Sequence, residues 1–158
     1  LLDAERVAAR KKLTTTEKEL SEVIFEQTGG NNDFAVIRSR GDQALFGKST
    51  QAMKAQWKVP DTRPLADFAP TILLKAKDFA TEITIFNARQ HGMHTQDTIT
   101  REHVTNNSAV RQTLIQRGIR PENLPPDEDV KKLERRLASE DKKTLKNTQA
   151  LGPKNTKD

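Results

Sequence analysis

Apolar positions recur along this chain at three- and four-residue steps, the period of a helix that buries one stripe. From Leu1 to Gln27 the stripe holds Leu13, Leu20, Val23 and Ile24, and Gly29 with Gly30 closes it. Thr14 to Thr16 followed by Glu17 have the form of a capping box, so this stretch reads as one helix or as two. Next, "NNDFAVIRSRG" sets cap-type Asn32 or Asp33 before a short apolar run ended by Gly41. A short helix is expected there rather than a strand. Ser49 caps a segment whose Met53 and Trp57 share a face, and Pro60 stops it.

Pro60, Pro64 and Pro70 mark a compact connector around Leu65 and Phe68. Pro70 suits the first turn of the strongest helix in the chain, which runs to about His91 with Gly92 beyond it. The core stripe expected of that helix is Ile72, Ala76, Phe79, Ala80, Ile83 and Phe86. A threonine-rich loop and a turn around Glu102 follow, then a helix from Ser108 to Arg117 that stops at Gly118, Ile119 and Pro121. "PENLPP" reads as a linker. The last helix is expected from Asp127, with Glu128 and Asp129 in its first turn and Val130, Leu133 and Leu137 packed inward. From Asn147 on, "NTQALGPKNTKD" has too little apolar content to fold. The expected fold is therefore all-α. It has a helical domain over 1–120, a linker and basic C-terminal helix over 121–146, and a disordered tail over 147–158.

Composition agrees with helices packed along stripes. Only 34% of the 158 residues are hydrophobic against 31% charged, and the mean hydropathy is −0.78. The absence of cysteine excludes disulfides and thiolate sites and suits a reducing compartment. No membrane span is expected, since the longest apolar run is Phe34 to Ile37 against the ~20 residues a span needs. The opening at Leu1, already in helical pattern, reads as a fragment or an excised domain. Charge changes the picture more. Residues 1–130 hold 18 basic and 18 acidic side chains, whereas 131–158 hold nine and four, so the whole net charge of +5 sits at the C-terminal end.

"GDQALFGKST", residues 41–50, invites a phosphate-loop reading, because Gly47, Lys48 and Ser49 match the end of G-x-x-x-x-G-K-[ST]. The opening glycine falls one place early, and Asp42 stands where glycine is required. No later strand supplies the acidic residue that such a loop uses with Mg²⁺. The segment reads as a turn in which Gly47 ends one helix and Ser49 caps the next. "HGMH" sets His91 and His94 at a spacing known from metal sites, but only His103 remains, with Glu102 or Asp97 as a carboxylate ligand. His91 at a helix carbonyl end is the simpler reading. No metal, cofactor or catalytic constellation is expected, and Trp57 is assigned to the core.

The basic helix is the candidate interaction surface. Lys131, Arg135, Lys142 and Lys146 lie on successive turns, with Lys132, Arg136 and Lys143 beside them, opposite the apolar stripe. Such a row can neutralise phosphates with salt-sensitive, sequence-independent affinity. No aromatic residue interleaves with it, which speaks against base stacking. A transcription regulator would instead read duplex DNA with the helix carrying Arg111, Gln112 and Arg117. A third arrangement pairs helix 1–27 with its own copy.

Several segments together carry a resemblance. "DFAVIRSRGDQALFGKSTQAMKAQWKVPDTRPLADFAP", "LLKAKDFATEIT" and "AVRQTLIQRGIRPENLPPDEDVKKLERR" resemble the C-terminal portion of the bacterial DNA-damage-inducible protein D family. The resemblance implies a cytoplasmic, non-enzymatic protein of the SOS response that hinders RecA recombinase filaments on single-stranded DNA. Fuller members of the family carry an N-terminal region similar to phage antirepressor domains, and the resemblance seen here does not extend to that region. The alternative reading is an antirepressor-like DNA-binding transcription regulator, with Arg111, Gln112 and Arg117 on its reading helix. The family supplies no catalytic residues to carry over.

Overall fold

The computed structural model describes residues 1–30 and 32–150. Six helices are present, and no strand occurs among the described residues. They are α1 (Leu2–Thr28), α2 (Phe34–Phe46), α3 (Thr50–Trp57), α4 (Thr71–Gln90), α5 (Gln96–Gln116) and α6 (Val130–Ala150). Short 3₁₀ turns occupy Leu65–Phe68 and Pro121–Asn123. The fold is all-α.

Local chemistry explains most boundaries. The Asp33 side chain caps α2 by accepting from the Val36 N–H, and the Ser49 hydroxyl caps α3 through the Ala52 N–H at 3.1 Å. Gly29 and Gly47 end α1 and α2 with φ of 85° and 68°, a left-handed turn that glycine enters without a Cβ penalty. Thr14 to Thr16 do not break α1. Their hydroxyls bond back to the carbonyls of Arg10, Lys11 and Lys12 one turn earlier, so the helix is single.

Two expected boundaries within α2 and α5 move. Gly41 does not end α2 but lies inside it, and α5 is one helix from Gln96 rather than a turn followed by a helix from Ser108. Thr95 caps α5 by accepting from the Thr98 N–H at 3.1 Å, a signal hidden in the threonine-rich run.

α4 occupies the middle of the body, with α1 on one side and α5 on the other, and α2 lies against α5. α1 and α4 run in the same direction, as the sequential pairs Glu5–Lys75, Lys12–Asp78 and Glu19–Arg89 show. The core is layered. One apolar layer gathers Leu13, Leu45, Phe46, Met53, Trp57, Leu73, Leu74 and Val110. Trp57 is buried there, edge-on to Phe46 at 5.7 Å, with its indole N–H on the Leu124 carbonyl. A second layer gathers Leu20, Val23, Ile24, Ile37, Ile85, Ala88 and Ile99.

Between the two layers in each of the four long body helices lies polar chemistry. Thr16 and Glu17 come from α1, Asp42 from α2, Lys77, Thr81 and Thr84 from α4, and His103, Asn106 and Asn107 from α5. Lys77, only 4% exposed, pairs with Asp42 at 3.1 Å. His103 Nδ1 lies 2.8 Å from the Thr84 hydroxyl, and Asn106 donates to both Thr84 and Glu102. Buried polar groups are tolerable because they are partnered, and here they partner one another across helices. Gly41 belongs to this layer. A Cβ on it would sit 2.4 Å from His103 Cδ2, so α2 approaches α5 closely only where a side chain is missing.

The expected α4 stripe is corrected in phase. Ala76 and Ala80 are buried, but Ile72, Phe79 and Phe86 face outward, and Ile83 is half-buried. The buried side is Leu73, Leu74, Lys77, Ala80, Thr81, Thr84, Ile85 and Ala88. That rotation buries Lys77 beside Asp42 together with Leu73, Leu74 and Ile85. At the C-terminal end α6 continues through Ala150, so Asn147 to Ala150 are helical where a tail from Asn147 is expected; residues 151–158 lie outside the described ones.

Candidate nucleic-acid interface

α6 docks by a small apolar contact. Val130 and Leu133 pack with Val7 of α1, and Leu137 lies half-buried against them. Asp127, Glu128 and Asp129 precede the helix instead of forming its first turn, since Pro125 and Pro126 hold the chain extended before it. Asp129 does the work of a cap, accepting from the Lys131 N–H at 3.0 Å.

Asp129 also ties α6 to the body. Arg63 reaches both of its carboxylate oxygens, Nη1 at 2.9 Å and Nη2 at 2.6 Å, and the same Nη2 also donates to Asp67 at 3.0 Å. Arg10 holds Asp67 at 2.8 Å, and Arg6 donates to the Ala69 and Asp67 carbonyls. The hydrogen bond from Arg63 holds the Asp129 carboxyl below its ordinary range despite partial burial. This arginine–aspartate cluster escapes sequence reading, because its members lie up to 123 residues apart in the chain. It fixes where the last helix leaves the body.

Beyond Leu137 every described position of α6 is exposed. The seven basic side chains do not behave alike. Arg136 is engaged by Glu128 at 2.7 and 2.6 Å and by Asp3 at 3.1 Å, and the Glu128 hydrogen bonds raise its pKa. Lys131, Lys132, Arg135, Lys142, Lys143 and Lys146 make no ion pair among the described residues. At 100° per residue all seven fall on one side of the helix, while Glu134, Glu140 and Asp141 fall on the other. The result is an acid-free basic face, ~22 Å from Lys131 to Lys146 at 1.5 Å per residue.

The rival reading helix fares differently. Arg111 is half-buried and committed to the body, donating to the Leu45 carbonyl at 3.0 Å and to both oxygens of Glu122. Those bonds raise the Arg111 pKa and lower that of Glu122. Its guanidinium packs against Gly47 and so locks the turn between α2 and α3. Gln112 and Arg117 are exposed, but Arg117 lies at the C-terminal cap of α5. The three do not form a reading surface.

In the quoted segment, Gly41 to Phe46 are helical and only Gly47 to Ser49 turn; Lys48 donates to Gln56 at 2.7 Å. The histidines are dispersed. His91 caps α4, His94 Nδ1 lies 3.1 Å from the Gln27 carbonyl, and His103 is in the polar layer. Among the described residues no three His, Asp or Glu side chains are placed to hold a metal ion, and no helix is long and apolar enough to cross a membrane. α1 leaves no stripe free for a second copy, because Leu13, Leu20, Val23 and Ile24 are all buried within the chain.

Fold and surface together define an all-helical module with a braced body and one projecting basic arm. The family model described as the DinD C-terminal domain matches residues 2–133, and the chain belongs to that family of DNA-damage-inducible proteins. The match ends at Leu133, so most of the basic face lies beyond it. No curated protein and no solved structure matches the chain.

Proposed function

We propose that this chain is a non-enzymatic module of the cytoplasmic DNA-damage response that hinders RecA recombinase filaments on single-stranded DNA. In this reading the body meets the protein partner while α6 lies along DNA phosphates. The observation that carries it is the acid-free face of α6, six of whose cations have no ion-pair partner among the described residues. Phosphates on a strand are a few ångströms apart, so a row of ~22 Å spans several of them. If all six engage single-stranded DNA, log K should fall with log salt at a slope of about −4.

The test replaces Lys131, Lys132 and Arg135 with Glu and measures strand exchange and filament ATPase over a salt series. Weaker inhibition with a flatter salt dependence is expected. Inhibition equal to that of the parent chain would remove α6 from the mechanism. Arg136 is left intact, because its bonds to Glu128 and Asp3 would mix docking of α6 with DNA contact.

A further inference from the structure

The outer face of α4 carries the side chains that a core would be expected to claim. Ile72, Phe79 and Phe86 are 42%, 61% and 65% exposed. They recur at seven-residue intervals and so make one straight seam, ~21 Å long on a helix. Ala76 and Ile83 border the seam on the α5 side, where Val110 and Leu114 extend it into a shallow apolar groove. Lys75 and Glu82 border it on the α1 side, where each already has a partner within the chain, Glu5 at 2.5 Å and Lys12 at 3.6 Å, yet stays about half exposed and open to a second contact. One flank is apolar and the other charged.

We propose that this seam is the meeting face of two copies of the chain, paired antiparallel about a two-fold axis at Phe79. Phe79 then faces its own counterpart, and Ile72 faces Phe86 of the second copy. A two-fold axis across the helices brings like flank to like flank. Lys75, four residues before the centre, therefore meets the second copy's Glu82, three residues after it, and the same pair forms again across the axis. A parallel pair would press the charged flank of one helix against Ala76 and Ile83 of the other. The charge order thus selects the antiparallel arrangement. It also selects the occupant, because seam spacing and flank charges each complement themselves when reversed.

The seam is narrow beside the ~800 Å² per partner of a standard interface, so the association is weak and rises with concentration. α6 starts near the N-terminal end of α1, which is also the N-terminal end of α4. Pairing would place the two basic faces at opposite ends of a ridge ~30 Å long. That consequence rests on the proposed DNA contact; the pairing itself does not.

Because the chain has no cysteine, introduced thiols report geometry cleanly. Phe79→Cys is expected to form a disulfide-linked dimer on mild oxidation. Phe86→Cys alone is expected not to, since its counterpart lies ~21 Å away, far beyond disulfide reach. Mixed Ile72→Cys and Phe86→Cys chains should link. In sedimentation equilibrium the parent mass should rise above 17.8 kDa with concentration. Phe79→Glu should hold it at the monomer with unchanged helical circular dichroism. Lys75→Glu and Glu82→Lys should each weaken pairing, and the double exchange should restore it. A parent chain that stays monomeric at several hundred micromolar, or Phe86→Cys linking as readily as Phe79→Cys, overturns the proposal.

Discussion

α4 and α6 differ by one residue in length, 20 against 21, yet they sort their side chains in opposite ways. α4 turns Lys77, Thr81 and Thr84 inward and leaves Ile72, Phe79 and Phe86 outside. α6 hides Val130 and Leu133 and presents charge. The difference lies in what surrounds each helix. α4 has neighbours that offer Asp42 and His103 as partners for polar groups, whereas α6 is held only at its start, by Val7, Arg63 and Asp3, and is exposed at every described position beyond Leu137. A polar group goes inside where something satisfies it, and a charge without such a partner stays in water.

The largest effect that tests this contrast is removal of one half of the buried pair. Asp42→Ala leaves Lys77 buried without its counter-charge and should destabilise the fold by about 3–5 kcal/mol in urea denaturation. Replacing both, as Asp42→Leu with Lys77→Met, should cost much less than the single change. A single-variant loss equal to the double would show that the pair is not what orients α4.

The polar layer should also register in acid. Burial pushes the His103 pKa down to about 4 from an ordinary 6.5, outweighing the pull of Asp42 and Glu102, while Lys77 pushes the same way as burial. Between those values the unfolded chain binds a proton that the folded chain refuses. Stability should therefore fall as pH drops from about 6.5 to 4, by at most ~1.4 kcal/mol per pH unit. His103→Gln should flatten that slope. Asp129 acts in a lower window: with its pKa depressed below 3.8, its contribution is complete above that value and vanishes as pH falls through the folded one. Melting curves of both chains across pH 7 to 4 check the assignment, and an equal acid slope in His103→Gln would refute it.

A smaller effect comes from Gly41. Alanine normally favours a helix interior by up to ~1 kcal/mol, but here its Cβ would meet His103 and Asn107. The clash should win, with a net loss of about 1–2 kcal/mol by thermal or urea unfolding. A gain in stability would mean that α2 and α5 can part without cost.

These cases show what could be read in advance. Caps are local, so Asp33, Ser49, Gly29 and Gly47 announce their helix ends from the sequence alone. The phase of α4 was not legible. Ile72, Phe79, Ile83 and Phe86 make a better apolar stripe than the true inner face, whose polar members find partners distant in sequence, Lys77 in Asp42 35 residues earlier and Thr84 in His103. Gly41 read as a stop because its reason for being small, His103, lies 62 residues away. The basic row of α6 was legible as a period. Its division was not, since Arg136 finds Asp3 across 133 residues while Arg135 finds no counter-charge among the described residues.

That division yields the smallest expected change in stability and the sharpest contrast with α4. Lys142, Lys143 and Lys146 touch nothing that holds the fold, so changing all three to Ala should leave the unfolding midpoint where it was. Each cation lost from single-stranded DNA should still lower the magnitude of the salt slope by about 0.7, or roughly 2 for the three. Fluorescence anisotropy on a labelled oligonucleotide across a salt series measures this directly. Charge inside the body is structural because a partner consumes it, and charge on the arm is free to act because none does. A triple variant that lost stability but kept its salt slope would invert that assignment.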